Sequence, residues 1–209
     1  MKNLLILAPH PDDEVVGTGI LIKKKSLIGC KIHILFLTNG VIEKSEMWPW
    51  ARKNHSFLLQ KRLNEMQRSL TFLNVKEYFL QNIPTRTLRN QIKATFNILK
   101  KLLEKWSVDS VFVPAYEGGH QDHDIANYIA SKFKNIVNVY EFPEYNYHSG
   151  IIRSNQFINE EGENSINLLP FVNNENLLSE IIKKNKLKIA INKSEKVASA
   201  KSAITVDEA

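Results

Sequence analysis

The sequence holds one cysteine, Cys30, in 209 residues. That excludes an internal disulfide framework, and a lone thiol fits a reducing compartment. Long apolar runs are also missing. Leu4-Leu5-Ile6-Leu7-Ala8 stops at Pro9-His10-Pro11-Asp12-Asp13, too short for a signal core and far short of a membrane span. The expectation is a cytoplasmic protein with no membrane span. No glycine fingerprint follows that run, and the acids that stand there instead would repel a pyrophosphate, which excludes a dinucleotide-binding turn. There is no internal repeat and no low-complexity tract. The formal charge is +6, but Lys23-Lys24-Lys25, Lys100-Lys101 and Lys183-Lys184 lie scattered over helix-like segments. No aromatic-studded basic stripe gathers them, so they read as solvated faces and nucleic acid is not the expected partner.

What is present suits one α/β domain with a tail. The chain is 43% hydrophobic, enough for a sizeable core. Residues 3–8 read as a first strand, followed by a helix to about Ser26 that Gly29 closes. Residues 31–37 read as a second strand ending in the turn signature Thr38-Asn39-Gly40. Strand, helix and strand with short links make a βαβ unit, so these two strands are expected to be parallel. Helical periodicity covers His55–Leu73 and 85–106; strands are expected at Val75–Leu80, 109–113 and 137–142, and a helix at 122–134. After Gly150 the pattern weakens. Residues 153–167 show little period, Leu177–Ile191 has room for one helix, and 193–209 reads as a loosely held end. The expected division is a core of residues 1–150 and an extension of 151–209 packed on it. The fold class is a Rossmann-like three-layer α/β sandwich, mostly parallel, with about five core strands.

Two stretches carry the chemistry. His10-Pro11-Asp12-Asp13-Glu14 follows the first strand, and Gly118-Gly119-His120-Gln121-Asp122-His123 follows the fourth. In a doubly wound sheet, ligands collect at the carboxyl ends of the strands, so stretches a hundred residues apart can meet. Crowded carboxylates in a partly dry cleft cost free energy unless a cation sits among them. Catalytic zinc takes three nitrogen or oxygen ligands and keeps a position open. His10 and Asp13, three apart across a turn, and His123 fit that set. Asp12 is the nearest spare carboxylate to act as general base. His120, as imidazolium, can donate to an oxyanion or a leaving amine. Asp122 can orient a histidine. Glu14 reads either as a group orienting a ligand or the loop, or as a plain helix-start cap. Met47-Trp48-Pro49-Trp50 reads as a loop anchor or a substrate-stacking lid. His33, His55 and His148 read as packed residues.

These motifs resemble the PIG-L/LmbE-like family of zinc-dependent N-acetylglucosaminyl deacetylases. The likeness extends to Thr38-Asn39-Gly40, to Arg62 and Glu65 as an R-x-x-E pair, and to Val108–Pro114. It covers roughly residues 3–148. The resemblance implies one Zn2+ per chain, with Fe2+ as an alternative divalent occupant, held by His10, Asp13 and His123. It implies Asp12 as base and His120 as partner of the oxyanion. The implied substrate is a small-molecule N-acetylglucosamine conjugate: lipid-, inositol-, malate- or antibiotic-linked, or a chitooligosaccharide. Arg62 then touches a polar or anionic substrate group, or is only a helix ion pair. Tyr145 or Tyr147 lines the pocket or belongs to the core. The rival reading is a carbohydrate-binding or regulatory protein that keeps the fold without turnover.

Overall fold

The computed structural model describes residues 1–148, 150–158, 187–191 and 202–206. Five parallel strands form its central sheet: β1 (Asn3–Ala8), β2 (Lys31–Ile42), β3 (Glu77–Thr85), β4 (Ser110–Pro114) and β5 (Asn138–Phe142). Their order is β3-β2-β1-β4-β5, and every adjacent pair is parallel. The winding reverses between β1 and β4, which makes that crevice the switch point where such sheets bind ligands.

Period-two alternation along β1 explains the layers. Leu4, Ile6 and Ala8 pack with Ile34, Phe36, Leu21, Ile22, Met66, Leu70 and Leu73 on one face. These bring in helices α2 (Gly19–Leu27) and α3 (His55–Leu73). Leu5 and Leu7 pack with Leu35, Leu37, Leu99, Leu103, Ala126 and Ile129 on the other, where α4 (Ile92–Lys105) and α5 (Gln121–Ser131) lie. All five residues from Leu4 to Ala8 are fully buried, as a strand covered on both faces requires. Each buried aliphatic side chain contributes about 1.5–3 kcal/mol by the transfer scale. His33 is buried in the sheet and stacks on Trp106 at 4.7 Å, so its packed role holds.

Several boundaries differ from those expected. The first helix is broken: a single turn, α1 (Asp13–Val16), stops before α2 begins at Gly19. Thr18 Oγ1 donates to the Glu14 carbonyl at 2.8 Å, and Gly17 lies flush against the Phe142 ring. Thr38-Asn39-Gly40 does not end β2. Thr38 donates both its N–H and its hydroxyl to the Pro9 carbonyl, each at 2.9 Å, and Gly40 passes through φ 74° as an irregularity. The strand continues to Ile42. β3 likewise runs past Leu80 through Asn82 at φ 58°. A 3-10 turn at Leu88–Gln91 takes the place of the first residues of the long helix.

A hairpin of β6 (Tyr145–His148) and β7 (Ile151–Ser154) spans residue 150. Farther on, β8 (Leu187–Ile191) pairs antiparallel with β9 (Ser202–Val206). The helix suggested for Leu177–Ile191 is therefore corrected over its last five residues, where Leu187, Ile189 and Ile191 alternate with Lys188 and Ala190, a strand's period. Residues 202–206 form a strand where a loose end was expected. The rest of both stretches lies outside the described residues, as does most of 153–167. Among the described residues no helix is long and apolar enough to cross a membrane.

A Cβ added at Gly17 would stand 2.2 Å from two Phe142 ring carbons, with Phe142 itself buried. Gly17→Ala is therefore expected to cost about 1–3 kcal/mol and to lower the melting temperature by roughly 2–10 °C. Calorimetry showing an unchanged transition would contradict this packing.

Candidate metal centre

The two motifs meet at the switch point. His10 leaves the end of β1, and the turn that follows is tight: the Asp12 and Asp13 N–H groups both donate to the His10 carbonyl. The His10 N–H in turn donates to Asp13 Oδ2 at 2.7 Å, which folds that carboxylate back toward the strand end. His120 caps α5, its Nδ1 accepting the Asp122 N–H at 3.1 Å. One turn on, His123 enters the same space.

Two buried carboxylates aim the histidines. Asp122 Oδ2 lies 3.2 Å from His10 Nε2, and Glu144 Oε2 lies 3.3 Å from His123 Nδ1. Each carboxylate faces one ring nitrogen, and the other nitrogen of each histidine is turned inward. His10 Nδ1 is 3.3 Å from Asp13 Oδ2, His123 Nε2 is 3.5 Å from it, and the two nitrogens are 3.3 Å apart. Two ring nitrogens and a carboxylate oxygen, all ligand-type atoms, thus converge. Ligands about 2.0–2.1 Å from a tetrahedral zinc ion stand roughly 3.3–3.4 Å from one another, so the triangle suits such an ion. Two further triads of ligating atoms overlap it: His10, His120 and His123, and Asp13, His123 and Glu144.

The electrostatics carry the same demand for positive charge. Burial opposes charging His10, but Asp13 and Asp122 outweigh it and push the imidazole up to about 10. Burial likewise opposes ionising Asp13, yet His123 and His10 hold its carboxyl well below the usual range. Asp122 is lowered too: its burial is outweighed by the bonds from His10 and the Arg86 N–H. Burial and the Asp13 charge raise Glu144 well above a normal carboxyl. Oδ1 of Asp122 and Oε1 of Glu144 are buried without a partner.

Asp12 stands beside this triangle. It has φ 157° and ψ −29°, a pairing outside the regions open to side-chain-bearing residues. Such strain costs on the order of 1–3 kcal/mol and persists only where neighbours over-determine it. Here the Asp12 N–H donates to Glu14 Oε2 at 2.9 Å and Arg62 Nη1 donates to Asp12 Oδ2 at 3.2 Å. Burial and Asp13 push the Asp12 carboxyl up to about 6, with Arg62 pulling the other way. Arg62 therefore faces Asp12 first, and its pairing with Glu65 is longer, at 3.8 Å.

The remaining residues fall into place around these. Glu14 is fully buried and takes the Ser69 hydroxyl from α3 at 2.6 Å. It binds the loop to α3 and touches none of the three converging atoms; burial pushes it up to about 8. The His120 Nδ1 accepts the Asp122 N–H, and burial with His10 and His123 nearby pushes the ring down to about 4. The Tyr145 ring lies 5.6 Å from His123, with its hydroxyl raised by burial and by Asp13. Gly119 passes so close to the Tyr145 carbonyl that no Cβ fits, which fixes the β5 loop against the histidine motif. Met47, not the tryptophans, anchors the 43–54 loop: Met47 is buried, and Trp48 and Trp50 are both exposed.

Sequence reasoning missed Glu144 and the end of β3. Asp122 Oδ2 also accepts from Thr85 Oγ1 at 3.0 Å and from the Arg86 N–H at 2.7 Å. The one signal for Glu144 is its place just past a strand's carboxyl end, which by itself does not set it apart from an ordinary loop acid. The Arg86 contact is a backbone group and had none.

A parallel sheet wound in this order, with a histidine–carboxylate cluster at its switch point, defines the class of fold. The chain belongs to the PIG-L family: the family model, described as GlcNAc-PI de-N-acetylase, matches residues 5–134. Diacetylchitobiose deacetylase of Thermococcus kodakarensis is 30% identical over 139 residues, 62% of this chain and 48% of that protein. The chain thus spans about half the length of that relative. Among solved structures, a deacetylase–teicoplanin complex aligns over 88% of this chain and 87% of its own, with TM-score 0.64 and 13% identity. GalB, the 4-carboxy-2-hydroxymuconate hydratase of Pseudomonas putida, aligns over 68% of this chain and 66% of its own, with TM-score 0.57 and 19% identity. These last two share the fold.

Losing an outer carboxylate that orients a ligating histidine typically costs 10–100-fold in metal affinity. Asp122→Asn and Glu144→Gln are each expected to weaken divalent-metal binding by about that factor, read by competition with a chromophoric chelator. Wild-type affinity in both variants would show that neither carboxylate aims a ligand.

Proposed function

We propose that this chain is a metal-dependent N-deacetylase of an N-acetylated amino-sugar conjugate. The observation that carries the reading is the convergence of His10 Nδ1, Asp13 Oδ2 and His123 Nε2 at 3.3–3.5 Å. Family membership and the deacetylase relative support it. Zinc is the proposed ion, since those edges suit a tetrahedral site.

A divalent cation held there supplies Lewis acidity: it polarises a carbonyl and makes a water acidic at neutral pH. Asp12, strained and aimed by Arg62 and Glu14, takes the proton of the attacking water. The free nitrogen of His120, with Nδ1 occupied by the Asp122 N–H, donates a hydrogen bond to the developing oxyanion. The proton held by Asp12 then passes to the sugar nitrogen as the C–N bond breaks. Acetate and a free amine leave. Tyr145 lines the pocket on the β5 side. Arg62 positions Asp12, and Asp122 and Glu144 orient the histidines.

The chemistry is assigned to the core of residues 1–150, on which residues 151–158 of the extension pack. Support comes from Glu117, whose Oε1 accepts the Ile158 N–H at 2.6 Å, and from Asn146, which donates to the Gln156 carbonyl at 2.8 Å. A cytoplasmic location accompanies this reading and rests on the single cysteine.

The test is acetate release from N-acetylglucosamine and N,N'-diacetylchitobiose, before and after chelation. Activity is expected to vanish without metal and to return with zinc. Asp12→Asn is expected to lower kcat by about 10²–10⁴-fold while zinc affinity stays near wild type. Full turnover in metal-free protein would remove the metal from the mechanism, and ligand binding without acetate release would favour a non-catalytic protein.

A further inference from the structure

One helix reaches Asp12 by two routes. Arg62 and Ser69 both lie on α3, seven residues apart. That is nearly two helical turns, so the two side chains leave one face of the helix, roughly 10 Å apart along its axis. Met66 and Leu70 are buried in the core under the same stretch and fix it against the sheet. Arg62 Nη1 donates to Asp12 Oδ2 at 3.2 Å. Ser69 Oγ donates to Glu14 Oε1 at 2.6 Å, and Glu14 Oε2 accepts the Asp12 N–H at 2.9 Å. The first route holds the side chain of Asp12, and the second holds its main chain.

The second route is tight. Glu14 is fully buried, and its carbonyl accepts the hydroxyl of Thr18 at 2.8 Å. Its main chain is therefore pinned, and each carboxyl oxygen has a donor. The Asp12 N–H is shared with the His10 carbonyl at 3.1 Å. Pro11 is gripped from the other side by β2: a Cβ added at Gly40 would stand 3.0 Å from Pro11 Cδ and 3.8 Å from Arg62 Cδ. The pairing of φ 157° and ψ −29° at Asp12 relaxes unless neighbours over-determine it, and Glu14 is one of those neighbours. A hydroxyl inside a helix ordinarily bonds the carbonyl four residues back. Thr71 on the same helix does so, to the Gln67 carbonyl at 2.8 Å. Ser69 instead spends its proton on a carboxylate 55 residues away in the chain. Without that hydroxyl, Glu14 Oε1 is a buried oxygen with no donor, and such a group turns to find one.

We propose that Ser69 is a positioning residue for Asp12. Its hydroxyl fixes the Glu14 carboxylate, and that carboxylate fixes the Asp12 main chain while Arg62, from the same helix, fixes the side chain. The proposal rests on the reading of Asp12 as the base of a deacetylase. The Ser69 bond goes to Glu14 and not to His10, Asp13 or His123, so its effect falls on the proton-transfer step and not on holding the ion. A base set by α3 is in place before any ion or substrate arrives, and a proton acceptor fixed in advance is what a fast transfer needs.

The experiment measures kcat, KM and zinc affinity for Ser69→Ala in the zinc-loaded full chain, in the wild-type and the Asp12→Asn backgrounds, with N,N'-diacetylchitobiose as substrate. Ser69→Ala is expected to lower kcat about tenfold in the wild-type background, with KM and zinc affinity kept. Ser69→Thr, which keeps the hydroxyl, is expected to retain most of the rate. In Asp12→Asn the base is gone, and Ser69→Ala is expected to cost nothing further. An unchanged kcat in Ser69→Ala overturns the proposal. An equal loss in both backgrounds also overturns it, since a merely structural role would lower both alike, as does a loss of zinc affinity that matches the loss of rate. If the wild type turns over no substrate, the deacetylase reading falls. Ser69 is then judged by crystal structures of the wild type and Ser69→Ala: Asp12 at the same backbone angles in both overturns the proposal, and a relaxed Asp12 in the variant supports it.

Discussion

Everything at the switch point depends on two buried carboxylates facing two imidazoles. Asp122 and Glu144 each face one ring nitrogen, of His10 and of His123, and so set which nitrogen turns inward. A buried carboxylate is costly without partners. Asp122 meets that cost with three donors on one oxygen: Thr85, the Arg86 N–H and His10. The end of β3 thereby reaches across β2 to hold a residue of α5. The parallel register of the sheet is a condition for this, because the contacts spring from the carboxyl ends of both β3 and β1.

Much of the fold was legible from residues. The unbroken apolar run at Leu4–Ala8 could belong only to a strand covered on both faces, and motifs after the first and fourth strands could meet only in a doubly wound sheet. The meeting of His10, Asp13 and His123 follows from that topology. Boundaries were less legible where tertiary contacts outweighed local signals. Thr38-Asn39-Gly40 is turn chemistry, yet two bonds to the Pro9 carbonyl keep it in β2. Gly17 and Thr18 lie in a helical pattern, yet Phe142 and the Glu14 carbonyl break it there.

Within the site, legibility followed chemistry. Ligand-type side chains in a short motif were visible. Glu144 was not, because a single acid after a proline resembles any loop residue until β5 is placed beside β4. The surroundings of His120 were hidden as well: its Nδ1 accepts a helix N–H, and two more histidines stand beside it. Among the crowded acids at residues 12–14, each has a separate fate. Asp13 faces the histidines, Asp12 is held in strain beside them, and Glu14 is turned away into the base of α3.

The span of the converging atoms along the chain has a consequence for folding. His10 and His123 are separated by more than a hundred residues, and Glu144 comes later still. An ion shared by His10 and His123 acts as a cross-link that closes a very long loop, and it binds only a chain whose β1, β4 and α5 are already docked. Its binding free energy is added to the stability of the entire sheet, by mass action, in proportion to the logarithm of free ion concentration. The proposed ion would in this way tie the protein's resistance to unfolding to the metal content of its surroundings.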